Sequence, residues 1–128
     1  MDWDSFQIDA SYISEKDSAL AAKYNDTELV GLKKAPAKRE MLEDLKQALN
    51  IPDSSGLADI LDEHSDRLKN ALAYKQMELY FSDNFGVIGD HNHTKFKMYQ
   101  SKYESHRKKF YELESDLPAS VNTIPIMR

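Results

Sequence analysis

A chain of 128 residues, 41% hydrophobic and 10% aromatic, suits one domain around one core, and that composition excludes global disorder. The net charge of −5 reads first as a solvated acidic surface; it argues against a dedicated nucleic-acid reader with a basic face and does not exclude a wall that DNA passes without sticking. No cysteine is present, so disulfides, thiolate chemistry and Cys-ligated metal sites are excluded.

The start, Met1-Asp2-Trp3-Asp4, is acidic and has no long apolar run behind it, which reads as no signal peptide. No stretch approaches the roughly 20 apolar residues of a membrane span. Behind Trp3, Phe6, Ile8, Ala10 and Tyr12 alternate with Gln7, Asp9 and Ser11. A period of two favours an extended strand or arm. No second strand pattern is clear, so the arm either lies across helices or pairs with a neighbouring molecule.

Ser14, with Asp17 three residues on, is placed to cap a first helix running through Ala19, Leu20, Ala21 and Ala22 to about Tyr24. Asn25-Asp26 interrupts it, and Leu29, Val30 and Leu32 form a short apolar cluster. Pro36 suits the first turn of the next helix, where its missing N–H costs nothing. Met41, Leu42, Leu45, Ala48 and Leu49 mark one face of that helix, and Ile51-Pro52 stops it.

Asp53, Ser54 and Ser55 offer caps for a long helix over residues 57–84, with Leu57, Leu61, Leu68, Leu72 and Leu79 on one face. Tyr74, Met77 and Phe81 lie far round from Leu72 and Leu79, so its second half is apolar on several sides. Either the N-terminal segments or a neighbouring subunit must cover it. A short Gly-containing connection, 85–92, leads to a helix over 94–117. There Phe96, Tyr99, Tyr103, His106, Phe110, Leu113 and Leu117 recur at steps of three and four. That is the seam of an antiparallel hairpin. Lys95, Lys102 and Lys109 flank the seam every seven residues, with Glu63, Asp66 and Glu78 as expected partners. Pro118 ends the helix, and the tail carries Val121, Ile124, Ile126 and Met127, too apolar for a solvated end.

The expected fold is all-α: a long antiparallel helical hairpin, shorter N-terminal helices, and extended N- and C-terminal arms. The boundaries are 1–13 for the arm, 14–117 for the helical domain and 118–128 for the tail.

Chemistry-bearing groups are few. Asp90, His91 and His93 form the one metal-like cluster, but no further ligand stands at diagnostic spacing, and a solvated turn is the simpler reading. His106, between Tyr103 and Phe110, reads as a packed seam residue rather than a switch or catalytic base. Lys75 interrupts an apolar stripe; its stem on hydrophobic surface and its amine on water or an acid is simpler than a nucleophile. The aromatic residues stand at core-packing spacing rather than as a base-stacking platform. Lys33, Lys34, Lys38 and Arg39, with Arg107, Lys108 and Lys109, read as helix-end and surface charges. Gly-rich phosphate loops and a Ser/His/Asp context are absent from the sequence. No enzyme, no catalytic residue, no metal and no cofactor is expected.

The run from Arg67-Leu68-Lys69-Asn70-Ala71-Leu72-Ala73-Tyr74 through Lys75-Gln76-Met77-Glu78-Leu79-Tyr80-Phe81-Ser82-Asp83-Asn84 resembles the central helix of head-to-tail connector (adaptor) proteins of tailed bacteriophages. Lys97-Met98-Tyr99-Gln100-Ser101-Lys102-Tyr103-Glu104 looks like their closing helix. The resemblance spans about 57–117, in soft patterns; the arm and tail lie outside it. It implies a virion protein of the neck: identical subunits in a ring, usually twelve-fold, below the portal protein. Such a ring extends the DNA channel without binding DNA specifically and receives a tail or stopper protein, with no membrane involved. On that reading the contact residues are Trp3, Phe6, Ile8 and Tyr12 in the arm, and Tyr74, Met77 and Phe81 on the long helix. Phe85, Val87 and Ile88 in the connection and Ile124, Ile126 and Met127 in the tail complete the set. The rival expectation is a small helical regulator that binds one protein partner.

Overall fold

Residues 1–87 and 89–116 are described by the structure, a computed structural model; Ile88 and 117–128 lie outside the described residues, and so do the tail candidates Ile124, Ile126 and Met127. The described residues form helices and 3-10 turns and no strand: α1 (Ser11–Ser14), α2 (Ser18–Lys23), α3 (Asp26–Gly31), α4 (Lys34–Leu49), α5 (Ala58–Glu63), α6 (Ser65–Asn84) and α7 (His91–Arg107). Single 3-10 segments precede α5 (Ser54–Leu57) and follow α7 (Phe110–Asp116).

The arm alternates only in part: Trp3 sits in a turn closed by the Phe6 N–H on its carbonyl, Phe6 and Ile8 then point inward at a step of two, and Ser11 already begins α1. Trp3, Phe6 and Ile8 are buried, with the Trp3 and Phe6 rings stacked at 5.4 Å. A lone extended segment has no ladder to satisfy its carbonyls. Here Lys38 of α4 substitutes, its Nζ donating to the Trp3 carbonyl at 2.5 Å and to that of Asp4 at 3.3 Å while lying over the Trp3 ring. The Met1 amine closes the arm onto Asp62 at 3.0 Å. The arm therefore lies across its own helices and shares one core with them.

Capping explains the short helices. Asp17, not Ser14, caps α2: its carboxylate accepts from the Leu20 N–H at 3.1 Å. Asn25 and Glu28 form a reciprocal capping box on α3. α4 carries Pro36 in its first turn and buries Ala37, Met41, Leu45 and Leu49 at four-residue spacing. Asn50, at φ +55°, ends it in the left-handed conformation that Asn tolerates.

The expected single helix over 57–84 is broken. His64 leaves the helical region at φ −119°, ψ 31°, separating α5 from α6. His64-Ser65-Asp66 is a run of weak helix formers, and the break lets Leu57, Ile60 and Leu61 reach the core as a separate turn. Beyond it, Ala71, Leu72 and Ala73 are all buried. Three successive buried residues cannot share one face of a helix, so α6 is enclosed on most sides. The chain itself encloses it. Gln76 donates to the Val30 and Leu32 carbonyls at the end of α3, Tyr24 meets Tyr80 at the hydroxyls, and α1, α4 and α5 pack along it.

α7 packs mainly on α6, and the two run antiparallel: Phe85 meets Phe96, Phe81 meets Tyr99 and Tyr74 meets His106, numbers falling on one side as they rise on the other. Tyr99, Tyr103, Phe110 and Leu113 of the seam are buried. The last two belong to the 3-10 segment, which leaves the line of α7 and packs on α4.

Candidate functional site

Three places on the hairpin gather polar or exposed groups. The first is its tip. Asp90 caps α7, accepting from the His93 N–H at 2.7 Å and from the Gly86 and Val87 N–H groups at 2.8 and 3.2 Å. These backbone donors, His93 foremost, hold its carboxyl below the usual range. Gly89 takes φ +95°, where a side chain would be strained, and donates to His93 Nδ1 at 3.0 Å. Phe85, His93 and Phe96 close the turn with their rings. The result is a built turn that leaves Val87 66% exposed.

The second is a groove of about 610 Å³ lined by Arg39, Glu40, Glu43, Asp44, Lys75, Glu104 and Arg107. At its floor the buried Lys75 Nζ lies 3.2 Å from Glu78 and 3.3 Å from Glu40, over the Tyr103 ring at 4.4 Å. The Tyr103 hydroxyl donates to Asp44 at 2.6 Å. Burial pushes Glu78 up, while Lys75 pulls against it and Glu40 and Glu104 push further up. Tyr103 is raised by burial and by Asp44. With two carboxylates and an aromatic face around it, the Lys75 amine is saturated with partners and serves as a brace between α4, α6 and α7.

The third is a small cleft of about 150 Å³ beside the tip, lined among others by Asp17, Lys23, Tyr80, Phe81 and Lys95. Asp17 is buried there and accepts from Lys95 at 2.7 Å and Tyr99 at 2.8 Å. Burial acts to raise its carboxyl, but the bonds from Lys95, Tyr99 and the Leu20 N–H outweigh it and the net shift is downward.

The anticipated contact residues distribute unevenly. Trp3, Phe6 and Ile8 are buried in the chain's own core, and so are Met77 and Phe81. This corrects the expectation that they face a neighbour: their apolar surface is covered intramolecularly. Tyr12 is half-buried, its hydroxyl on Asp66 at 2.6 Å, which pushes it up to about 12. Tyr74 is half-buried between Tyr99 and His106. Phe85 is half-buried, and Val87 alone of the described candidates is exposed.

His106 packs on Tyr74 and is lowered by burial, then by Lys109, Lys16 and Arg67. Among the described residues no group of three or more His, Asp or Glu is arranged to hold a metal ion. The expected lysine row is also corrected. Lys95 pairs with Asp17 rather than with an acid of the facing helix, Glu78 is taken by Lys75, and Asp66 by Tyr12.

Sequence reasoning missed two anchors. Asp17 lies 78 residues from Lys95, and the sequence signals only its capping role. Lys38 showed only as a surface charge, although a cation spaced like the buried Ala37 and Met41 face of α4 was the available clue. Two further large apolar side chains on the hairpin and its extension are exposed, Met98 at 42% and Tyr111 at 61%. Set against known protein families, curated proteins and solved structures, the chain matches none.

Proposed function

We propose that this chain is a structural subunit of a ring that joins the portal of a tailed phage head to its tail and extends the DNA channel, and is not an enzyme. The supporting observation is the α6–α7 hairpin. It coincides with the stretch that resembles phage connectors, it is braced on both sides by buried ion pairs, and it displays Val87 and Met98 outward, with Tyr111 exposed on the 3-10 segment beyond it. A rigid hairpin with apolar side chains at its edge suits packing between subunits. Its partners on this reading are identical copies, the portal protein and a tail or stopper protein, and its place is the virion neck. The test is negative-stain microscopy of the purified chain, alone and mixed with portal. Closed rings are expected; a lone monomer that ignores portal overturns the reading.

One observation favours a second reading. The apolar residues of the arm and of α6 are covered within a single chain, as in a stand-alone helical protein that binds one partner. That protein would remain a monomer under both conditions and would show one saturable partner contact.

A further inference from the structure

The outer face of α7 is rich in exposed lysines, with the exposed Glu112 as an acid just beyond its end. Lys97, Lys102, Lys108 and Lys109 are exposed along it and just beyond its end, with Ser101, Ser105 and the exposed Met98 between them. Glu104, the lone acid in the helix, is half-buried and pairs with Arg107. The opposite charge is concentrated elsewhere on the same chain. The arm points its apolar residues in and leaves Asp2, Asp4 and Asp9 exposed. It is tied by Met1 to Asp62 and by Tyr12 to Asp66, so it borders α5 and the first turn of α6, where Asp59 and Glu63 are also exposed. Asp53 to Asp66 holds five acids and neither Lys nor Arg, and the exposed Arg67 that follows sits at the edge of this face.

We infer that the outer face of α7 docks on the acidic face, formed by the arm, α5 and the start of α6, of a second copy of this chain. The two surfaces are complementary in sign, and each is exposed in the single chain. A free polyanion is the poorer occupant, because a chain of net charge −5 repels it at long range. A contact between two different surfaces of identical molecules is heterologous: it leaves one face of each kind unused, so further copies add until a ring closes or a filament grows. The inference rests on the ring reading and gives that ring its subunit contact. It also assigns the arm a role, carried by its outward carboxylates rather than by its buried apolar side chains.

The experiment compares three full-length proteins by sedimentation at low salt: wild type, Lys97→Glu with Lys102→Glu, and Asp59→Lys with Glu63→Lys. None of these four residues is buried, and circular dichroism checks that each variant keeps its helices. Wild type is expected to associate, and to do so less as salt rises. Each reversal alone should need at least about tenfold more protein for half-assembly, since like charges then face each other. An equimolar mixture of the two variants should recover assembly, because the two altered faces attract. Reversals that assemble as wild type does, or a mixture that recovers nothing, overturn the contact and leave the ring reading standing. A wild type that never associates, alone or with portal, overturns both. A wild type that stays monomeric but binds duplex DNA through Lys97 and Lys102 assigns the face to a polyanion and overturns the second copy as its occupant.

Discussion

Asp17 packs against the α6–α7 hairpin and Glu78 belongs to it, and the protein treats these two buried acids oppositely. The Asp17 side chain has 0% exposure and Glu78 has 10%, so burial acts to raise both carboxyls. Yet Asp17 is lowered and Glu78 is raised. Asp17 receives three donors, from Lys95, Tyr99 and the Leu20 N–H. Glu78 receives Lys75 alone, shares it with Glu40, and has Glu104 nearby as a further negative charge. Burial is the largest influence on both; three donors overcome it at Asp17, whereas at Glu78 one shared donor does not and the nearby carboxylates add to it.

Removing the better-satisfied acid should hurt most. Asp17→Ala takes the carboxylate from the Lys95 amine, leaves the Tyr99 hydroxyl only the Lys16 carbonyl at 3.4 Å, and deletes the cap of α2. The expected loss is about 3–5 kcal/mol in urea unfolding, the range for breaking a buried pair. Asp17→Asn keeps shape and cap acceptor and should lose about 1–2 kcal/mol. Its pH dependence follows from the downward shift. The stability supplied by ionised Asp17 is present above the unfolded value of 3.8 and is lost as pH falls through the lower folded value. The gap between wild type and Asp17→Asn should thus be flat from about pH 5 to 8 and narrow only below about 4. A loss under about 1 kcal/mol for Asp17→Ala would erase the distinction between the two acids.

Lys75→Met tests the other side. It fills the apolar stripe but leaves Glu78 buried without its cation, at a cost of about 2 kcal/mol near neutral pH. The cost should shrink toward pH 5 as Glu78 takes up a proton. If the loss is the same at both pH values, packing rather than charge accounts for it.

Much of the framework was legible because it is periodic. The three-and-four spacing from Phe96 to Leu113 placed the hairpin seam, and the step of two in the arm separated Phe6 and Ile8 from Gln7 and Asp9, although the arm became no strand. The break at His64 was not legible, since the Leu57, Leu61 and Leu68 stripe continues in phase across it. Apolarity announces that a side chain will be covered and is silent on which molecule covers it. That is why Trp3, Phe6, Met77 and Phe81 read as contacts and prove to be core. The long-range polar contacts were hidden for another reason. Asp17 with Lys95, and Tyr103 with Asp44 at a separation of 59 residues, depend on chain folding that no local pattern encodes.

The smallest expected effect makes the sharpest test. Glu78→Gln mimics the protonated form, which the raised folded value says the native state prefers. For a carboxyl shifted upward, its contribution to stability is fully present below the unfolded value of 4.5 and is lost as pH rises through the folded value. Wild type should therefore give up stability across that window while Glu78→Gln does not. The variant should match wild type near pH 4 and gain on it by less than about 1 kcal/mol at pH 7, read as a rise in urea midpoint at constant slope. Asp17→Asn shows no such trend there: its gap to wild type stays level through this region and changes only below about pH 4, where Asp17 takes up its proton. Parallel curves for Glu78→Gln and wild type would mean that Lys75 fully offsets the burial of Glu78, and that one shared donor is enough to cancel the cost of depth in this core.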